Sequence, residues 1–302
     1  MKNFLLLIAV TIPICIIAQK EIYFSFNIQN DFLNYRCSGT DQYYTGGNTM
    51  SLSFKGKKKP HIVHTVSISQ RVFSPDDILR TDLNGNDFPY AGLLYLSYSR
   101  SVFFNDSLAS LQYQISAGTT GEKAFAADVQ SALHRWLNVY MPLGWNNQID
   151  LGNLLQFEFN YNRSLIRHKA IHVNTLAGLE FGTIFTRASI GGELKLGGGG
   201  NFSAHQFGLI PALTGKKRGF YAFARPAVTY VLYNEMFSKA FGSTKELAAI
   251  KKDISLYVFK SAIGISYYTR KFAVTLVQNY NTREFSAALD HSFGEINFLF
   301  RL

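Results

Sequence analysis

The sequence predicts an all-β chain, a twelve-stranded antiparallel transmembrane β-barrel with a helix in one extracellular loop, on three observations. From residue 19 onward, segments of about ten residues alternate apolar and polar with period two, the mark of strands whose two faces meet different surroundings. The polar faces carry Gln, Asn, Glu and Ser and the apolar faces are rich in aromatics, as when one side meets a lumen and the other lipid. An apolar leader precedes them all. The composition agrees: 47% hydrophobic, 15% aromatic and only 17% charged over 302 residues, against about 25% charged in an ordinary soluble domain. Disorder is excluded and a typical soluble enzyme disfavoured. No stretch beyond residue 18 approaches the roughly 20 consecutive apolar residues of a spanning helix, so a helical bundle is excluded too.

Taken in order, Met1-Lys2-Asn3, the apolar run Phe4 to Ile17 and then Ala18-Gln19 read as a signal peptide over 1–18, leaving 19–302 as an exported barrel. Cys37 is then the one remaining cysteine, so no internal disulfide forms; no Cys/His signature surrounds it to suggest a nucleophile. Strands are expected near 21–31, 45–56, 62–73, 91–104, 107–119, 150–163, 168–180, 182–196, 218–234, 254–269, 271–282 and 292–302. The clearest sets Leu155, Phe157, Phe159 and Tyr161 against Gln156, Glu158, Asn160 and Asn162. Ile296, Phe298, Phe300 and Leu302 give the last strand an apolar face. Between Gly121 and Asn138 the period changes: Phe125, Val129, Leu133 and Trp136/Leu137 recur at helical spacing after a glycine break.

If the chain enters the barrel from the periplasmic side, connections after odd strands lie outside the cell and those after even strands in the periplasm. The loops 32–44, 74–90 and 120–149 then share the extracellular rim, while Lys-rich 56–61 and Asn105-Asp106-Ser107 are periplasmic turns. The net charge of +10 suits an anionic membrane or phosphorylated lipid, and export argues against nucleic acid.

The same outer loops hold the chemical candidates. Asn30-Asp31 ends the first strand, Thr45 opens the second on the face of Thr49 and Ser51, and Arg80 lies in the second loop. Gln130 and His134, four apart, share one helix face. A carboxylate, carboxamide, hydroxyl, guanidinium and imidazole on one rim suit hydrolysis, with His134 as general base and a cation or Arg80 stabilising an oxyanion. Each has a plainer reading: Asn-Asp as a turn former, Gln130 and His134 as a helix's polar side, Arg80 as solvated charge. Asp41, Asp76, Asp77, Asp82 and Asp87 show no ordered calcium spacing. No Gly-x-Ser-x-Gly elbow, paired-cysteine zinc pattern or nucleotide loop is present, and His291-Ser292 is an adjacent pair with no third member.

Five blocks in order carry a family resemblance: Asn30-Asp31-Phe32; Thr40-Asp41-Gln42-Tyr43-Tyr44-Thr45-Gly46-Gly47; Phe88-Pro89-Tyr90-Ala91-Gly92; Gly121-Glu122 with Val129-Gln130 and His134-Arg135; and Gly144-Trp145-Asn146-Asn147-Gln148. Over the first half of the chain past the leader, the sequence resembles the outer-membrane lipid A 3′-O-deacylases of the LpxR type. The resemblance implies a twelve-stranded barrel with its site between the wall and an outer-loop helix. It implies His134 as the base that activates water, with Gln130 beside it. Asn30, Asp31 and Thr45 would face them and help hold Ca2+. Arg80 falls where the family has a lysine thought to assist the oxyanion. Gln42, Phe88 and Tyr140 depart from the family pattern. The implied reaction is hydrolysis of the ester that holds the 3′-linked acyl or acyloxyacyl chain of lipid A. The expected partners are lipopolysaccharide and the outer membrane, with the chain acting as a monomer. A passive channel or scaffold barrel, or a barrel phospholipase, are the alternatives.

Overall fold

The computed structural model describes residues 20–34, 42–56, 61–81, 87–104, 108–168, 170–197, 218–240, 254–286 and 288–302. The expected leader, Cys37, Asp41, Asp82, Lys57 to Lys59 and the Asn105-Asp106-Ser107 turn lie outside them.

Twelve strands form among the described residues. The first six are β1 (Lys20–Asn30), β2 (Tyr43–Gly56), β3 (Ile62–Ser74), β4 (Ala91–Phe104), β5 (Ala109–Thr120) and β6 (Asn153–His168). The second six are β7 (Ile171–Gly182), β8 (Phe185–Gly197), β9 (Arg218–Asn234), β10 (Tyr257–Thr269), β11 (Phe272–Asn281) and β12 (His291–Arg301). Each pairs antiparallel with its sequence neighbours and β1 pairs with β12, so the sheet closes and leaves no unpaired edge. The expected helix is α1 (Ala126–Leu137), entered through a short 3-10 turn over Gly121–Ala124; a second, α2 (Glu235–Ala240), follows β9.

The alternation sets the radial order. Met50 on β2 is paired with Ile68 on β3, which is paired with Leu96 on β4, and all three are exposed on the outer wall. Ser53, Ser69, Ser97 and Ser116 point inward and are buried. Deep in the lumen, the fully buried Glu193 accepts from Asn174 at 2.8 Å and Arg225 at 2.7 Å and lies 3.3 Å from the Lys195 ammonium. Buried charge of this kind persists only when paired and hydrogen-bonded.

Two apolar layers cross the interior. At the rim where β1 begins and β12 ends, Tyr23, Val63, Phe103, Tyr221, Phe223 and Tyr268 form one buried cluster. At the opposite rim Phe88, Phe185, Met236, Phe237 and Phe285 form another, with Tyr43 and Phe73 packed against it. Phe88 stacks on Phe285 at 5.9 Å and Tyr43 meets both rings edge-on. Between them lies a polar cavity of about 400 Å³ lined by residues such as Gln29, Arg71, Glu158, Glu180, Arg187 and Lys260.

Two expectations are corrected. β6 was expected to stop at 163 but runs to His168, because a bulge between Ser164 and Ile166 absorbs one residue and lets the ladder resume at Ile166 and Val173. Thr45 does not share a face with Thr49 and Ser51. A bulge between Tyr44 and Gly46 makes Thr45 the extra residue of β2; its hydroxyl meets Ser74 on the outer wall, while Thr49 bonds Ser69 inside.

Candidate active site

The loop-rich rim builds its polar cluster on the outside of the barrel. On β1 the outward parity runs through Phe26 and Ile28 to Asn30, which faces Gly46 of β2. Asn30 caps the 3-10 turn Asp31–Leu33: its Oδ1 accepts from the Phe32 amide at 2.8 Å, which Asp31 Oδ1 also accepts at 2.8 Å. Glycine at 46 is required here, since a Cβ would stand 2.9 Å from the Gln29 carbonyl and 3.1 Å from Asn30 Nδ2. Asp31 is only 3% exposed.

From Thr45 a hydrogen-bonded chain runs across the wall to the helix. Thr45 Oγ1 bonds Ser74 Oγ at the end of β3, Ser74 Oγ accepts from Gln130 Nε2 at 3.1 Å, and Gln130 Oε1 accepts from the Trp145 indole at 2.7 Å. An indole N–H can only donate, so the Gln130 oxygen must face Trp145 and its amide nitrogen must face Ser74. The carboxamide has a single orientation, and the loop 138–152 is tied through it to β2 and β3.

His134 follows Gln130 by one turn on the same face of α1, and both are buried. Its Nδ1 bonds the Tyr140 carbonyl. A carbonyl has no proton to give, so Nδ1 carries the hydrogen and Nε2 keeps its lone pair, the tautomer a general base needs. The return of the chain that makes this possible is made at Asn138, which closes α1 with φ +56° and donates to the Arg135 and His134 carbonyls. Asn is among the few non-glycine residues that take this left-handed conformation readily.

Small residues let the helix lie close. A Cβ on Gly92 would come within 2.6 Å of Ala126 Cβ and 3.1 Å of Ala124 Cβ, so α1 rests on the wall where β4 has no side chain. Gln70 donates to the Ala124 carbonyl at 2.7 Å, and Val72, Tyr90, Ala126 and Trp145 form the buried apolar contact beneath. Tyr90 packs at a tilt against Trp145, ring centroids 4.8 Å apart, and its hydroxyl donates to the Ile78 carbonyl at 2.9 Å, holding the loop after β3 against the same cluster.

The structure therefore brings Thr45, Gln130 and His134 together under α1, with Asn30 and Asp31 on the adjoining strand end. Arg80 stands differently: its backbone carbonyl lies 2.7 Å from where a Gly144 Cβ would be, while its half-exposed guanidinium faces Asp77 at 3.6 Å. An exposed pair of this kind contributes about 0–1 kcal/mol. Ser74 and Trp145 are the members sequence reasoning missed: Trp145 sat in a quoted motif as a family marker, and Ser74 only at the start of the loop 74–90. His291 is excluded as the base of a His-Ser pair, because its Nε2 bonds the Tyr44 carbonyl at 2.9 Å and Ser292 points to the opposite face of the strand. Among the described loop aspartates Asp87 Oδ1 accepts from the Asp76 amide at 3.0 Å, and among the described residues no group of three or more His, Cys, Asp or Glu could hold a metal ion. What remains as a hard-cation donor set is all oxygen, namely the buried Asp31 carboxylate with the Asn30 carboxamide and Thr45 hydroxyl, a chemistry that fits calcium completed by backbone oxygens and water.

The protein-family comparison returns the model described as outer membrane protein LpxR, matched over residues 4–302. Among solved structures, LpxR from Salmonella typhimurium superposes with a TM-score of 0.73 at 18% identity, covering 93% of this chain and 100% of that one, a likeness of fold. The KdgM porin (TM-score 0.41, 7% identity, 93% of this chain and 99% of that chain) and the β domain of the Bordetella autotransporter Brka (0.46, 8%, 94% and 100%) are more distant barrels. No curated protein matches the chain. With the family model spanning nearly its whole length, this chain belongs to the LpxR family of outer-membrane proteins.

Proposed function

We propose that the chain is a lipid A 3′-O-deacylase that works in the outer leaflet of the outer membrane. The observation that carries this reading is the hydrogen-bonded chain Thr45–Ser74–Gln130–Trp145, with His134 one turn further along α1, built on the outward face of the wall rather than in the lumen. An ester in the surrounding leaflet can reach that position sideways.

His134 Nε2 takes a proton from water as the water oxygen attacks the acyl carbonyl carbon, and the Tyr140 carbonyl steadies the imidazolium through Nδ1–H. Collapse of the tetrahedral oxyanion breaks the bond to the 3′ oxygen, and His134 returns its proton to that leaving alkoxide. The products are a free carboxylate and a 3′-hydroxyl. No serine nucleophile is needed, in keeping with the missing elbow. Asp31, Asn30 and Thr45 would hold a calcium ion, which supplies positive charge for the oxyanion when bound. Arg80 is the protein's own candidate for that charge, once its side chain turns from Asp77.

The channel alternative is separated by conductance of the folded chain in a planar bilayer, where the buried apolar clusters near both ends of the lumen predict no steady current. The phospholipase alternative is separated by experiment: expression in a host of known lipid A, followed by mass spectrometry of lipid A and phospholipids with and without calcium and with His134→Ala. Loss of a 3′ acyl species that requires His134 supports the proposal. Unchanged lipid A with accumulating lysophospholipid would replace it with the phospholipase.

A further inference from the structure

We infer that α1 presents a dedicated lipid-facing side, so that Phe125, Val129, Leu133 and Trp136 lie against acyl chains of the outer leaflet. The helix carries three stripes. Ala126, Gln130 and His134 face the barrel wall and are buried. Asp128, Ser131 and Arg135 form a polar flank. Phe125, Val129, Leu133 and Trp136 form the opposite flank, where Phe125 is 58% and Trp136 80% exposed.

This inverts the arrangement of an amphipathic helix on a soluble protein, whose apolar stripe packs on the core and whose polar side faces water. Here the wall receives the stripe with the carboxamide and imidazole, and Phe125, Val129 and Trp136 are left exposed, with Leu133 half-buried beside them. Phe125 adds a cost, because it holds a left-handed φ of +55°, uncommon for a bulky residue. An exposed apolar stripe maintained at that cost marks an interaction surface.

Continuity with the lipid-facing wall identifies the occupant. Descending from the helix along β3 and β4, the outward pairs are Val72 with Gly92 beneath α1, then Gln70 with Leu94, Ile68 with Leu96 and Val66 with Tyr98. Ile68, Leu96, Val66 and Tyr98 are exposed large apolar side chains of the transmembrane wall. In this proposal the apolar flank of α1 continues that surface upward, and Asp128 and Arg135, on the other side of the helix, meet water and headgroups. An amphipathic helix with a Trp at the boundary has the form of an interfacial membrane element. The proposal gives the site proposed above a second wall for a substrate's acyl chain, and to that extent rests on it, but the contact with lipid is a separate physical claim.

The test uses tryptophan emission of the full chain in proteoliposomes of phosphatidylcholine brominated in mid-chain, with no lipid A present. The chain has two tryptophans, and Trp145 is buried. The difference between the natural protein and Trp136→Phe, both checked for the heat-modifiable gel shift of a folded barrel, isolates Trp136. Most of that difference emission should be lost to brominated lipid and little to aqueous iodide. Quenching by iodide and not by lipid would place the stripe in water and overturn the inference; shielding from both would mean that protein, such as a second copy, covers it, and would overturn it too. A His134→Ala chain should give the same quenching, so a failed hydrolysis assay and a failed lipid contact are told apart.

Discussion

At the scale of single residues, the site depends on hydrogens whose positions can be deduced. Nδ1 of His134 must carry one because its partner is a carbonyl, and Gln130 has one orientation because Trp145 can only donate. Removing the base should therefore cost the most: His134→Ala is expected to slow lipid A hydrolysis by about 100- to 10,000-fold, the usual worth of general-base catalysis, while the barrel still shows its gel shift. Because Tyr140 contributes its backbone, Tyr140→Ala should keep activity near the natural level, which a steady-state assay checks. Asn138 is different, since Asn138→Val puts a β-branched residue at φ +56°, costing about 1–2 kcal/mol and displacing the carbonyl that orients His134. Activity should fall, and Asn138→Gly should restore it. Of these residues His134, Gln130, Asn30 and Asp31 were legible from spacing and strand-end position. The tautomer was not, because it is set by a carbonyl six residues on.

Among the secondary-structure elements, the strands could be read because each needs only its own alternation, and ten-residue ladders repeat that signal many times. The facing of Thr45 could not, because a bulge is a disagreement between two strands and leaves little trace in either one. The helix was legible as a period, yet its buried side was the less apolar one, since lipid rather than water lies beyond it. Its seat is Gly92, so Gly92→Val should lift α1 from the wall and abolish hydrolysis while leaving the barrel folded, as read by activity beside the gel shift. The loop after β3 carries a pH dependence. Burial, and then the hydrogen bond shared with Asp87, push the Asp76 carboxyl above its ordinary value. Its stabilising effect is full while the group is protonated and lost as pH rises through that raised value. Limited proteolysis of the loop should therefore quicken with rising pH, and Asp76→Asn should flatten the trend.

Over the whole molecule, the lumen holds the largest buried charges. Truncating Glu193 to Ala would leave Lys195 and Arg225 in the interior without their carboxylate, a loss of about 3–5 kcal/mol for a broken buried pair; the temperature of the gel shift should fall markedly while the outer-wall site stays intact. With apolar clusters at either end, the folded chain in a planar bilayer is expected to pass no steady ionic current, and clear single-channel steps would contradict this. The outward placement of the site also fixes where matter can go. With the ester cut on the outer wall rather than in the lumen, a severed fatty acid and the trimmed glycolipid would both diffuse away laterally in the same sheet they came from. Turnover would then be governed by how crowded that sheet becomes with its own spent material.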